Sequence, residues 1–150
     1  MIRGGCLCGA VRFEVDRAMG PFELCHCGRC RKVSGSAFLA TVSVRRGELR
    51  FLSGRELIRT YEAPMVESPP AYRVCFCSTC GTCVPDPNVE SEWFEIAAGS
   101  LDDDPQIRPD KHIFIDCKAP WFQIDDDLPQ FTKQAIRELR KDLAESNKLL

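Results

Sequence analysis

The sequence predicts a mainly β protein, built of antiparallel sheets around bound metal and closed by a C-terminal helix. Three observations predict it. Most of the first hundred positions fall into short apolar or β-branched runs bounded by turn residues. One stretch near the C-terminus carries apolar residues at helical spacing. Ten cysteines stand at spacings that suit a shared ion better than disulfide pairing.

The strand signals can be taken in order. Ala10–Asp16 alternates Val11, Phe13 and Val15 with Arg12, Glu14 and Asp16, the period of two expected of a half-buried strand. Phe38–Val44 is rich in β-branched residues, and Arg46-Gly47-Glu48 reads as a hairpin turn into Leu49–Leu52. Leu57–Tyr61, Tyr72–Phe76, Trp93–Ala98 and His112–Asp116 complete a mostly antiparallel set. Val66–Pro70 reads as a loop, and Asp102–Pro105 and Pro109-Asp110 as turns. From 129 to 147, Phe131, Ala135, Ile136, Leu139 and Leu143 recur at helical spacing, which predicts a helical extension packed on the sheet.

At 150 residues the chain has the length of one domain, so 1–150 is read as a single unit. A formal charge of −2 gives no electrostatic reason for a nucleic-acid partner. No apolar run approaches the length of a membrane span, and the opening MIRGGCLCGA lacks the apolar core of a signal peptide. A cytoplasmic protein with reduced thiols is therefore expected, and reduced thiols bind metal.

The cysteines form three local groups. Cys6 and Cys8 are two apart, so an extended backbone turns both sulfurs to one face, and Gly9 lets the chain bend beside them. Cys25, Cys27 and Cys30 fuse a CxC to a CxxC, bringing three thiolates together within six residues. Cys77 and Cys80, followed by Gly81, form a zinc-knuckle pattern that supplies two ligands and needs two more. Pairing Cys6 and Cys8 with Cys77 and Cys80 completes a closed, structural tetrahedron.

That pairing leaves Cys25, Cys27 and Cys30 with three ligands and a position free for exchange, the pattern of a reactive zinc. Three thiolates outweigh the charge of Zn²⁺, so such a site is a weak generator of hydroxide but well matched to one more soft sulfur ligand. Sulfur chemistry is expected ahead of hydrolysis. A fourth ligand drawn from Cys75, Cys83, Cys117, His26 or His112 would instead close the site. Cys75, Cys83 and Cys117 are expected to be buried as small hydrophobes. His26, lying between two ligands that face one way, is expected to point away from the ion, behind the site or at the surface.

The motifs together resemble the glutathione-dependent formaldehyde-activating enzymes and their centromere-protein-V relatives. Gly5-Cys6-Leu7-Cys8-Gly9-Ala10-Val11, Cys25-His26-Cys27-Gly28-Arg29-Cys30-Arg31-Lys32, Phe76-Cys77-Ser78-Thr79-Cys80-Gly81, Gly99-Ser100-Leu101-Asp102, and His112-Ile113-Phe114 with Lys118-Ala119-Pro120-Trp121-Phe122 carry the resemblance, in order, over most of the chain. It implies an Mss4-like fold. It also implies a structural zinc on Cys6, Cys8, Cys77 and Cys80, and a second zinc on Cys25, Cys27 and Cys30 that exchanges ligands with glutathione.

The reaction implied is addition of glutathione, or a similar thiol, to formaldehyde or another small aldehyde, formally a carbon–sulfur lyase reaction in reverse. Arg29, Arg31 and Lys32 stand beside the second site as candidate contacts for substrate carboxylates, with solvated surface charge as the plainer reading. His112 is a candidate for the pocket wall or a strand edge, and Trp121 for the pocket wall or, more strongly, the core. Two zinc ions are expected, the second weakly held and partly occupied. The rival readings are a non-catalytic thiol carrier and a structural zinc interaction module.

Overall fold

The computed structural model describes residues 1–65 and 71–146. The loop expected at Val66–Pro70 and position 147 of the expected helix lie outside the described residues. β1 (Ile2–Gly5), β2 (Arg12–Val15) and β3 (Met19–Cys25) lead into α1 (Gly28–Ser34). β4 (Leu39–Arg45), β5 (Leu49–Ser53), β6 (Ile58–Glu62), β7 (Arg73–Cys77) and β8 (Trp93–Ala97) follow, then β9 (Lys111–Ile113), β10 (Gln130–Phe131) and α2 (Lys133–Ser146). The protein is mostly β, with a C-terminal helix. No described helix is long and apolar enough to cross a membrane.

The chain divides into two compact units, residues 1–21 with 41–108, and residues 22–40 with 109–150. In the first, β2 is the centre of an antiparallel sheet between β1 and β5, with Phe13 opposite Gly4 on one side and Phe51 on the other. The alternation read from the sequence places Val11, Phe13 and Val15 fully inside. Gly4 is required by this packing, because a Cβ there would stand 2.5 Å from the Phe13 ring and 2.6 Å from the Ser100 carbonyl oxygen. β6 and β7 form an antiparallel pair, and β8 pairs with the end of β4 from Thr41 to Arg45. Arg46–Glu48 is a 3-10 turn between β4 and β5, which pair with different strands, so the expected hairpin there is corrected to a connection between sheets.

The second unit departs further from expectation. β3 runs parallel to β9, and β9 parallel to β10, where an antiparallel set was expected. These pairings cover two or three residues each, too short to leave a periodic signal. Phe131, read as helical, belongs to β10 and not to α2, because the helix begins at Lys133. The Thr132 hydroxyl accepts the Ala135 N–H at 3.2 Å and so caps that start. Ile136, nearly fully buried, packs with Cys25, Cys30 and Ile113, and Leu139 and Phe131 flank them. Arg140 on α2 holds the buried Glu23 carboxylate at 2.5 Å. Leu143 is more than half exposed and takes no part in this face.

Candidate metal centres

The first centre belongs to the first unit. The chain leaves β1, turns at Cys6–Gly9, and returns to β2. The Gly9 N–H reaches the Cys6 carbonyl at 2.9 Å, with Gly9 at a φ of 76° that favours glycine. The β7 end makes the same turn, the Gly81 N–H reaching the Cys77 carbonyl at 2.8 Å. Thr82 ties the two turns together: its hydroxyl accepts the Leu7 N–H at 3.1 Å and stands 3.3 Å from the Cys80 sulfur. The Thr82 hydroxyl and N–H lower the Cys80 thiol to about 5. The Val11 N–H donates to the Cys6 Sγ at 3.2 Å.

The sulfurs of Cys6, Cys8, Cys77 and Cys80 all lie within 4.8 Å of one another. Cys6 and Cys8 are 3.5 Å apart, and Cys8 and Cys77 are 3.9 Å apart. A tetrahedral zinc with Zn–S bonds of about 2.3 Å puts its sulfurs about 3.8 Å apart, so four thiols at these distances fit that ion. Cys6 and Cys77 are embedded in the apolar cluster of Val11, Ile58, Cys75 and Val84, which joins the centre to the core of its unit.

The second centre belongs to the second unit. Cys25 ends β3, Cys27 is the extended residue that caps α1, and Cys30 lies buried in the first turn of that helix. The Cys27 sulfur accepts the Cys30 N–H at 3.4 Å, the thiolate doing the work of a capping side chain. This seven-residue helix was not expected from the sequence. It ends at Gly35, whose φ of 62° is the left-handed cap that glycine supplies.

The sulfurs of Cys25, Cys27 and Cys30 lie within 4.8 Å of one another. Hydrogen bonds from the Cys25 and Cys30 thiols hold the Cys27 thiol far below its ordinary range, down to about 2, and the same contacts push Cys25 up. Three thiols gathered in this way fit a soft divalent ion such as zinc. Among the described residues, no fourth His, Cys, Asp or Glu joins the three-cysteine cluster.

The other candidates are distributed differently from expectation. Cys75 is buried in the first unit, 3.2 Å from the Thr60 hydroxyl. Cys83 is half-buried, bridged to Phe76 through the backbone. Cys117 is exposed, correcting its expected burial, because the 3-10 turn at Ile115–Cys117 turns it outward. Trp121 is also exposed, at 71%, and it is Phe122 that packs inward against His26 and Phe38. Arg31 and Lys32 occupy the last turn of α1, where cations complement the carbonyl end. Arg31 is half-buried, with an Nε that finds no hydrogen-bond partner among the described residues; Lys32 is exposed and Arg29 half-buried.

Sequence reasoning missed one group. His26, expected behind the site or at the surface, is fully buried, and its Nε2 lies 2.8 Å from His112 Nδ1. His112, read as a strand-edge or pocket residue, sits on β9 with a neighbouring strand on each side and is 1% exposed. Its Nε2 faces both carboxylate oxygens of Asp126 at 3.0 and 3.1 Å. The Leu128 N–H and His112 hold Asp126 below its ordinary range, while burial and His112 lower His26 to about 4. The signal available was slight: the chain has only two histidines, and both lie inside motifs.

Comparison with known proteins follows these centres. A family model described as glutathione-dependent formaldehyde-activating enzyme matches residues 1–117. A protein of Halomonas elongata named "Putative glutathione-dependent formaldehyde-activating enzyme" is 30% identical over 132 residues, covering 83% of this chain and 82% of that one. A crystal structure of a Rhodobacter sphaeroides protein superposes with a TM-score of 0.52 at 21% identity, covering 87% of this chain and 99% of the other. That last likeness concerns the fold alone.

Proposed function

The chain belongs to the glutathione-dependent formaldehyde-activating enzyme family, and from that premise we propose that it joins glutathione, or a similar thiol, to formaldehyde or a small aldehyde. In this reading it is a cytoplasmic enzyme of the carbon–sulfur lyase type. The observation that carries the proposal is the unequal ligand count: four thiols converge in one centre and three in the other, with no fourth protein donor among the described residues.

A zinc ion bound by Cys25, Cys27 and Cys30 would supply a site where one further thiolate is stabilised, which makes an incoming thiol acidic. The chain's own residues do the rest. The end of β3 and the first turn of α1 hold the three sulfurs together. Arg29, Arg31 and Lys32, all on α1, are the candidates to pair with a substrate carboxylate. The thiol gives up its proton, the sulfur forms a bond to the aldehyde carbon, and the carbonyl oxygen takes a proton to become the hydroxyl of the product. Cys6, Cys8, Cys77 and Cys80 serve as structural ligands.

Thiols add to formaldehyde without help, so the test is kinetic. The rate of approach to equilibrium of glutathione and formaldehyde should rise in proportion to protein concentration, and Cys27→Ser should remove that rise. A rate independent of protein, with glutathione still bound, would make the protein a thiol carrier.

A further inference from the structure

The second unit contains a hydrogen-bonded chain that the family assignment does not use. Asp126, near the surface, faces His112; His112 faces His26; and His26 stands between two of the three clustered cysteines. Phe38 and Phe122 enclose the His26 ring at centroid distances of 5.5 and 5.8 Å, and the His26 N–H of the backbone is held by the Ile113 carbonyl at 3.0 Å.

The direction of this chain follows from counting protons. A carboxylate only accepts, so His112 must carry its hydrogen on Nε2, where it meets Asp126. A neutral His112 then has a bare Nδ1, which accepts the Nε2–H of His26. A neutral His26 is left with a bare Nδ1, and that atom is buried without a hydrogen-bond partner among the described residues. With both rings neutral, one carboxylate at the surface selects the tautomer of the two buried rings.

We propose that Asp126 and His112 are positioning residues for the three-cysteine centre. They act through His26, whose fixed ring anchors the backbone that carries Cys25 and Cys27. The inference rests on the reading that these cysteines hold a metal. It deepens that reading by adding the support behind the ligands: groups of this kind hold ligating side chains in place, and their loss typically weakens metal affinity by about 10–100-fold.

Asp126→Asn is the test, made on the zinc-loaded chain at pH 8, above the ordinary imidazole range. The Asn carbonyl keeps the bond that the Leu128 N–H now makes to Asp126 Oδ1 at 2.9 Å. Its amide then stands where Oδ2 faces His112, while its carbonyl stays at the Oδ1 place, 3.1 Å from Nε2, so Asn weakens the acceptor that Asp126 offers. The expected result is a change in the ring ¹⁵N shifts of both histidines, and a chelator that competes for the second zinc about 10–100-fold more effectively. Affinity at the Cys6, Cys8, Cys77 and Cys80 centre should be unchanged, which serves as the internal control. Asp126→Ala, which only removes the acceptor, should give mixed tautomers and the same loss of zinc.

Rings that keep Nε2–H in Asp126→Ala would overturn the proposal, as would a second zinc held as tightly as in the wild type. A wild-type chain that binds only one zinc would refute the functional reading on which the proposal rests. The ring shifts would still decide whether Asp126 sets the tautomers.

Discussion

The two cysteine centres differ in how they are assembled, and on the proposed function the difference separates a clamp from a working site. The first draws Cys6 and Cys8 from the start of the chain and Cys77 and Cys80 from its middle, and so closes a long loop within its unit. All four positions are filled by thiols, and two of the four are buried in the unit's core. The second gathers its ligands from six consecutive residues, and metal there closes no long loop. Its order comes instead from a strand end, a helix cap, the packing of Ile136 and the buried histidines. On the proposed function, the closed set stabilises the fold and the incomplete set, held by its surroundings, keeps a coordination position for substrate.

Breaking the first centre should have the largest effect. Cys77→Ser removes a fully buried ligand, and apparent binding energies for structural zinc reach about 10–16 kcal/mol in small domains. Loss of cooperative unfolding by circular dichroism, together with loss of zinc, is expected; a variant that melts like the wild type would make this centre dispensable.

Next in size is Ile136→Ala, which empties a nearly fully exposure-free position beside Cys25 and Cys30. A loss of about 2–5 kcal/mol in denaturant unfolding is expected. If the second centre depends on its surroundings, its zinc should also become easier to remove. A chelator titration sharpens the comparison further. Zinc should leave Cys25, Cys27 and Cys30 before the four-cysteine centre, since it has one protein bond fewer, and release in the opposite order would reverse the two roles.

The smallest effect is expected at the surface of the first unit. Arg3 makes a two-pronged contact with Asp103 at 2.9 and 3.0 Å, and that contact lowers the Asp103 carboxyl to about 2. Its stabilising effect is present above the ordinary carboxylate range and is lost as pH falls through about 2. Both partners are largely solvated, so Asp103→Asn should shift Tm only slightly at neutral pH, and less in high salt. A large shift would mean that β1 depends on this contact for its place beside Cys6.

Legibility in the sequence followed the range of the interactions. CxC and CxxCG turns are made by neighbouring residues, so Cys6, Cys8, Cys77 and Cys80 could be grouped from spacing, as could Cys25, Cys27 and Cys30. The alternation around Val11, Phe13 and Val15 was equally local. α1 was not legible, because its cap is a cysteine rather than a usual capping residue and its seven residues carry too little periodicity. The parallel pairing of β3 with β9 joins Leu24 to His112 across most of the chain, and nothing near either residue announces it. The link from His26 to Asp126 is harder still, since it passes through a residue 86 positions away. Trp121 and Phe122 show the same limit: both are apolar, and only the packed structure decides which one turns inward.

The most direct test of the account is zinc per chain and glutathione binding, measured on metal-replete wild type and on Cys27→Ser. The account predicts a count near two in the wild type, falling to near one in the variant with glutathione binding lost and the fold retained. A wild type with two zincs that does not bind glutathione at any accessible concentration would contradict it and make both centres structural.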